Sequence, residues 1–283
     1  MKRTGLRTPA LVAERKASAS RCVICHRSLI LRQLTTGKTR IKMHGSCFCS
    51  SACFVSAAEA ELTRLLALNN AQPEHIARMS LAHILISRGS LTNEQFRAAL
   101  DDQKETGGEI GRVLTRLGFV SESQLTAVRA LQWGCPVFPL TGQGNLSSVR
   151  IPAPLIRVYS MIPLHYTPAR NLLLVGFVDS IEYGLLYLIE RITGYKTEPC
   201  FISMADFQVR LNEWTMAQEQ QGVANQDESA SERSGTPAEM AQTLRDCAVE
   251  GELEEAVIGR FKDYLWARLK FRSKDVDFLF NAG

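Results

Sequence analysis

Two stretches of this chain repeat at a fixed spacing, and that repetition limits the fold more than any other feature. Residues 80–103 align without gaps on residues 109–132, a period of 29 with a five-residue spacer ending in Gly107-Gly108. Gly89 falls on Gly118, Leu85 on Leu114, Gln95 on Gln124 and Gln103 on Gln132. Leu81/Ile110, Ile84/Val113, Leu91/Val120 and Phe96/Leu125 match in apolar character. In each copy the first apolar set has helical spacing. Gly89 and Gly118 then stand where a helix needs a left-handed residue after its last turn. Thr92 with Gln95, and Ser121 with Gln124, read as capping boxes, with Leu91–Phe96 and Val120–Leu125 as hydrophobic staples. The prediction is short helix, glycine turn, longer helix, twice over. Folding signals of this kind do not explain why Gln103 and Gln132 close each copy.

A second constraint lies upstream. Five of the eight cysteines fall between residues 22 and 53. Cys22 and Cys25 form a C-x2-C pair, and Cys49 and Cys53 a C-x3-C pair. The chain starts with charges and no apolar leader, so clustering favours a metal over a disulfide framework. Two close pairs joined by a hairpin can set four thiolates around Zn²⁺ in a closed, structural site. The β-rich runs between them suggest that hairpin, turning at Thr-Thr-Gly-Lys (35–38). Cys47, His26 and His44 are spare donors, and the plain alternative is a set of reduced, buried thiols. The segment Phe48-Cys49-Ser50-Ser51-Ala52-Cys53 after C-x2-C resembles the FCS or TRASH-type zinc ribbon. That resemblance implies that the second pair opens a short helix.

The tandem unit resembles the N-terminal domain of type II secretion and type IV pilus assembly ATPases, the MshE-type or GspE N-terminal domain. In that family two 24-residue motifs, five residues apart, bind the two halves of cyclic di-GMP. The resemblance implies ligand contacts from Leu81, Gly89, Leu100 and Gln103 in the first copy. It implies Ile110, Gly111, Gly118, Leu125 and Gln132 in the second. The sequence departs from the family at position 1, where Ser80 and Glu109 replace arginine, and at position 3 of the first copy, which is Ala82. An arginine offers a donor fork and a stacking plane, whereas Glu109 sets a negative charge near a dianion. Two readings stay open: a receptor for cyclic di-GMP, and a degenerate module kept as a docking platform.

The expected fold class is α+β and multidomain: a basic arm at 1–20, a zinc ribbon with its following helix at 21–71, and the tandem-repeat helical module at 72–132. An α/β subdomain at 133–214, a flexible linker at 215–238 and a C-terminal helix plus β-hairpin at 239–283 complete it. Within 133–214 we expect a strand at Gly-Cys-Pro-Val-Phe-Pro-Leu, a short proline-led helix, two strands, a helix capped by Ser180 and ended by Gly194, then a strand and a helix. The linker is polar and rich in Gln and Ser. Beyond it, residues up to Phe261 have helical periodicity, and the runs around Arg272-Ser273-Lys274 read as a hairpin with Trp266 and Phe278 on one face. A tail of this size needs to pack on the α/β subdomain or on a second subunit.

The functional expectation is a non-catalytic, cytoplasmic, bacterial regulator or adaptor. It would bind a protein partner, such as a secretion or pilus component, and carry structural Zn²⁺, with cyclic di-GMP as a further ligand. The alternative is a zinc-ribbon protein that associates with nucleic acid, since the first 45 residues hold eleven Lys/Arg against Glu14 alone. No run of residues is apolar enough to insert in a membrane. No enzyme is expected: Thr-Gly-Tyr-Lys-Thr (193–197) lacks the first glycine of a phosphate loop, and Asp101-Asp102 read as a solvated helix face. The ATPase motor of the resembled family is therefore expected to be absent.

Overall fold

A computed structural model describes residues 21–30, 40–68, 78–139, 146, 149–220, 232–250 and 252–281. The basic arm at 1–20, the Thr-Thr-Gly-Lys turn and the middle of the linker, 221–231, lie outside the described residues.

The described part of the ribbon holds a hairpin at residues 41–48. Strands β1 (Ile41–Met43) and β2 (Ser46–Phe48) are joined by His44-Gly45, both at positive φ (49° and 77°). Two left-handed residues in a two-residue loop match the right-handed twist of the strands. Helix α1 (Ser51–Ala67) follows at once, its first amides met by the Ser50 hydroxyl, which accepts from the Cys53 N–H.

The repeats form four helices, α2 (Leu81–Ser87), α3 (Asn93–Thr106), α4 (Ile110–Arg116) and α5 (Glu122–Trp133). Both capping boxes are present with their reciprocal bonds. Both glycines are left-handed, at φ 68° and 72°. The backbone closes each first helix in register with the repeat: Ser90 N donates to Leu85 O, and Phe119 N to Leu114 O. Leu81, Leu85, Leu91, Val113, Leu114 and Leu125 share a small core.

The α/β subdomain comprises α6 (Ala153–Val158), β3 (Met161–Thr167), β4 (Leu172–Phe177), α7 (Tyr183–Thr193), β5 (Lys196–Phe201) and α8 (Met204–Gln220). Its sheet order is β3-β4-β5, with β3 antiparallel and β5 parallel to β4. Gly194 ends α7 as expected. Ser180 does not cap α7: the cap position is Glu182, without a side-chain bond. The stretch around Cys135 forms no strand but only a bridge from Val137 to Phe201, since its prolines withhold ladder donors. Helix α8 also continues to Gln220, into the segment read as linker.

The C-terminal segment departs most from expectation. It contains β6 (Glu232–Ser234), α9 (Pro237–Glu250), β7 (Leu253–Phe261), β8 (Tyr264–Phe271) and β9 (Asp275–Asn281). The helical periodicity up to Phe261 misled because β7 is buried on both faces, and such strands lose the alternation that marks them. The ribbon and the tail are not separate units. One six-stranded sheet runs β2-β1-β7-β8-β9-β6, with β1 parallel to β7 through Lys42↔Glu255 and Met43↔Ala256.

This sheet is covered on both sides. On one face α1 and α9 pack over Ala256, Ile258, Leu265, Phe278 and Phe280. On the other, Val257, Tyr264, Trp266 and Leu279 join the core of the α/β subdomain against α7. Trp266 pairs with Leu279, while Phe278 pairs with Ala267. This register places Trp266 and Phe278 on opposite faces, and not on one face as the sequence suggested. The tail does pack on the α/β subdomain, through glycines: a Cβ on Gly259 would sit 2.3 Å from Leu188 Cδ1, and one on Gly184 2.6 Å from Phe261 Cε2. Arg260 fastens the third layer by donating from Nη1 to the carbonyls of Leu65, Leu66 and Leu68 at 2.8–3.0 Å, at the end of α1.

Candidate metal centre and repeat module

The thiols of Cys22, Cys25, Cys49 and Cys53 lie within 4.8 Å of one another. The first pair sits on a tight loop, where Cys22 N donates to Arg27 O and His26 N to Cys22 O, both at 2.9 Å. The second pair straddles the start of α1. Cys25 and Cys49 sulfurs are 3.3 Å apart, and Cys49 and Cys53 sulfurs 3.7 Å. A tetrahedron of sulfurs about Zn²⁺, with bonds of about 2.3 Å, has edges of about 3.8 Å, so the spacing fits that ion.

The charges of the cluster point the same way. Burial raises the Cys22 thiol, but the backbone amides of Cys25, Cys49 and Ile24 aimed at its sulfur outweigh burial and bring it down to about 6. Burial pushes the Cys53 thiol up to about 12, and the neighbouring thiols of Cys49, Cys25 and Cys22 add to the rise. Four sulfurs this close do not all ionise unless a cation stands among them. Amides directed at one sulfur also favour the thiolate a metal needs.

The spare donors fall away. Cys47 points into the sheet core and is 8% exposed. His44 faces Arg191, whose Nη2 lies 3.1 Å from its Nδ1. His26 stands outside the group of four.

The repeat module answers why each copy closes on glutamine. Gln103 Nε2 donates to the carbonyl of Gly108 at 2.7 Å, and Gln132 Nε2 to the carbonyl of Met79 at 2.8 Å. Each glutamine thus grips the residue just before the other copy. The position-1 residues are helix caps: Ser80 accepts from His83 N, and Glu109 from Arg112 N. Gly89 and Gly118 serve as turns, while Leu81 and Leu125 lie in the module core. Leu100 and Ile110 are half-buried. Gly111 is buried, and a Cβ there would meet the Glu109 carboxylate at 2.9 Å.

One residue of this site was not singled out in the sequence. Arg129 is 4% exposed on α5. Its Nη2 lies 2.7 Å from Glu109 Oε2 and 3.0 Å from Asp179 Oδ1, and its Nη1 donates to Val178 O at 3.1 Å. Arg112 reaches the same Asp179 at 2.5 Å. The signal was an arginine in the inward row of α5, between buried Val128 and Ala130, where the first copy has Leu100.

No protein-family model matches the chain. Over 121 residues it is 26% identical to the type IV pilus assembly ATPase PilB of Thermus thermophilus, a match that takes in 42% of this chain and 14% of that protein. The chain thus spans a small part of this relative's length. Among solved structures, that of MshE with cdg aligns over 48% of this chain and 99% of its own, at 24% identity and a TM-score of 0.42. The N-terminal domain of XpsE aligns over 47% of this chain and 91% of its own, at 16% identity and a TM-score of 0.38. Over 42% of its length the chain is thus similar in sequence to part of a pilus assembly ATPase, and its 283 residues contain no G-x-x-x-x-G-K-[ST] motif. Among the described residues, no helix is long and apolar enough to cross a membrane.

Proposed function

We propose that this protein is a non-catalytic adaptor in the bacterial cytoplasm that docks on a protein of a secretion or pilus machine, with a ribbon held by structural Zn²⁺. The observation that carries the docking reading is Glu109. It stands where the resembled family places a ligand-binding arginine, yet here it caps α4 and pairs with buried Arg129. A carboxylate in that place opposes a dianionic nucleotide and supplies the module's own counter-charge. Gln103 and Gln132 are likewise engaged in bracing the two copies.

A second reading, a receptor for cyclic di-GMP, is favoured by the gapless period, which matches the spacing of the resembled family's two motifs. Calorimetric titration of the full chain with cyclic di-GMP, with GMP as control, separates the two. The docking reading expects no heat of binding at about 100 µM ligand, whereas binding at about 10 µM or below makes the chain a receptor. In-cell photo-crosslinking from residue 88, on the exposed turn of the first copy, tests the partner. Crosslinks to secretion or pilus proteins support the adaptor, and crosslinks dominated by nucleic acid defeat it.

A further inference from the structure

An open cavity of about 360 Å³ lies far in sequence from the repeat module, between the end of α7, the start of β5 and the turn joining β8 to β9. That volume falls within the range of small-molecule sites, about 300–1,000 Å³. Arg150, Arg268, Arg272 and Lys274 line it against the single carboxylate of Asp275. Arg268 is paired with Asp277 and Arg272 with Glu252 and Glu254, so Arg150 and Lys274 are the cations that face Asp275 and the negative end of α7, roughly half a charge.

The floor of the cavity is built and not merely exposed. Arg268 is 4% exposed. Asp277 holds it from behind, with Nε to Oδ1 at 2.8 Å and Nη2 to Oδ2 at 2.9 Å, and Nη2 also donates to Arg150 O at 2.7 Å. Trp266 fixes the same carboxylate by donating from Nε1 to Oδ1 at 2.7 Å. Among the described residues, Nη1 of Arg268 makes no hydrogen bond, and this arm belongs to a side chain that lines the cavity. A guanidinium locked by a carboxylate on one side and open on the other is a pre-organised donor to an oxyanion. Half-buried Arg150 and exposed Lys274 add two more cationic side chains to the lining, and among the described residues no ion pair holds them. Arg272 is shared with Glu252 and Glu254 at 3.6 Å, a loose pairing on a side chain 71% exposed.

We infer that this cavity binds a small phosphate-bearing molecule, with Arg268 as the fixed donor and Arg150 and Lys274 as closing cations. The site is independent of the adaptor reading and of any ligand at the repeats.

The test is titration of the full chain at low ionic strength with pyrophosphate and, separately, with AMP. Saturable binding of either probe is expected, weakened at least about tenfold by Arg150→Ala combined with Lys274→Glu, since each close cation on an oxyanion contributes a charge-assisted bond. Both substitutions leave the Arg268–Asp277 pair intact, so the melting temperature should stay near that of the parent chain. Gln132→Ala should leave this binding unchanged. Tighter binding of AMP identifies a nucleotide as the occupant, and binding of pyrophosphate alone identifies a free polyphosphate. No saturation of either probe up to about 10 mM, a range in which weak oxyanion contacts register, overturns the proposal. So does binding that the rim substitutions leave untouched, or that Gln132→Ala removes.

Discussion

Gln132, the last residue of the second repeat, donates its side-chain amide to the carbonyl of Met79 at 2.8 Å, the residue just before the first repeat begins. Gln103 makes the matching bond to Gly108, so two equivalent bonds close the four helices into a ring. Replacing either glutamine by alanine should cost about 0.5–1.5 kcal/mol, the net worth of one such bond. Urea unfolding of the single and double variants measures it. Gln132→Ala should cost more than Gln103→Ala, because it spans 53 positions of sequence and Gln103 only five. A double variant as stable as the parent chain would remove the bracing role.

The four thiols should hold one Zn²⁺ per chain, read by elemental analysis of protein purified without added metal. Cys25→Ser or Cys49→Ser should lose it. Because β1 is zipped to β7 and the ribbon shares its core with β7–β9, metal removal should disturb more than the ribbon. Chelation is expected to raise amide exchange in β7 as well as in β1 and β2, since binding free energy at such a site is folding free energy. Protection in β7 that chelation leaves unaltered would show the ribbon to be an appendage.

Arg129 ties the repeats to the α/β subdomain through Glu109, Asp179 and the Val178 carbonyl. Arg129→Ala should destabilise the chain by about 3–5 kcal/mol, because it strands partners that were desolvated around a charge. Arg129→Met with Glu109→Gln and Asp179→Asn should recover much of that loss. Thermal unfolding of the two variants decides. Equal damage in both would mean that shape, and not charge, is what Arg129 supplies.

What the sequence made legible was local. Capping boxes, glycine turns and cysteine pairs are decided within a few residues, and each stands as expected, from Thr92–Gln95 to Gly118. What it hid was pairing over distance. Nothing near Lys42 announces a parallel partner at Glu255, so the ribbon and the tail read as separate domains. The same pairing buries β7 on both faces and erases the alternation that would have marked it as a strand. Arg129 stayed hidden because a single arginine on an amphipathic helix reads as surface until its two carboxylates, from α4's cap and from the turn after β4, are brought to it. Glu109, read as a missing arginine, makes sense only beside it.

Acid should loosen the contact between the ribbon turn and α7. Burial, then the Arg191 guanidinium, hold His44 below its ordinary value of 6.5, with Arg64 adding to the effect and Glu61 and Glu255 opposing it. The side chain is 24% exposed. With the folded-state value depressed, the unfolded chain takes up a proton that the folded chain resists. His44 therefore contributes stability above pH 6.5 that is lost as the pH falls through the folded-state value. His44→Asn, which keeps a polar residue tolerant of positive φ, should flatten the slope of stability between neutral pH and that point. An unchanged slope would assign the acid sensitivity to other groups.

The sharpest test of the three-layer packing is Gly259. Its missing Cβ leaves the place that Leu188 Cδ1 fills, at 2.3 Å from where a Cβ would stand. Leu188 is 2% exposed, and Ile192 Cδ1 stands 3.8 Å from the same Cβ position, so the space around Gly259 is filled on the α7 side. Gly259→Val should therefore cost about 1–3 kcal/mol, the usual penalty of overpacking, despite valine's better fit to a strand. Leu188→Ala alone should cost about 2–5 kcal/mol. The pair together should cost less than the sum, because the valine occupies part of the space the leucine vacates. Additive losses in a double-mutant cycle would mean that β7 and α7 do not meet at this point, and that the C-terminal sheet is not seated on the α/β subdomain as the glycine contact requires.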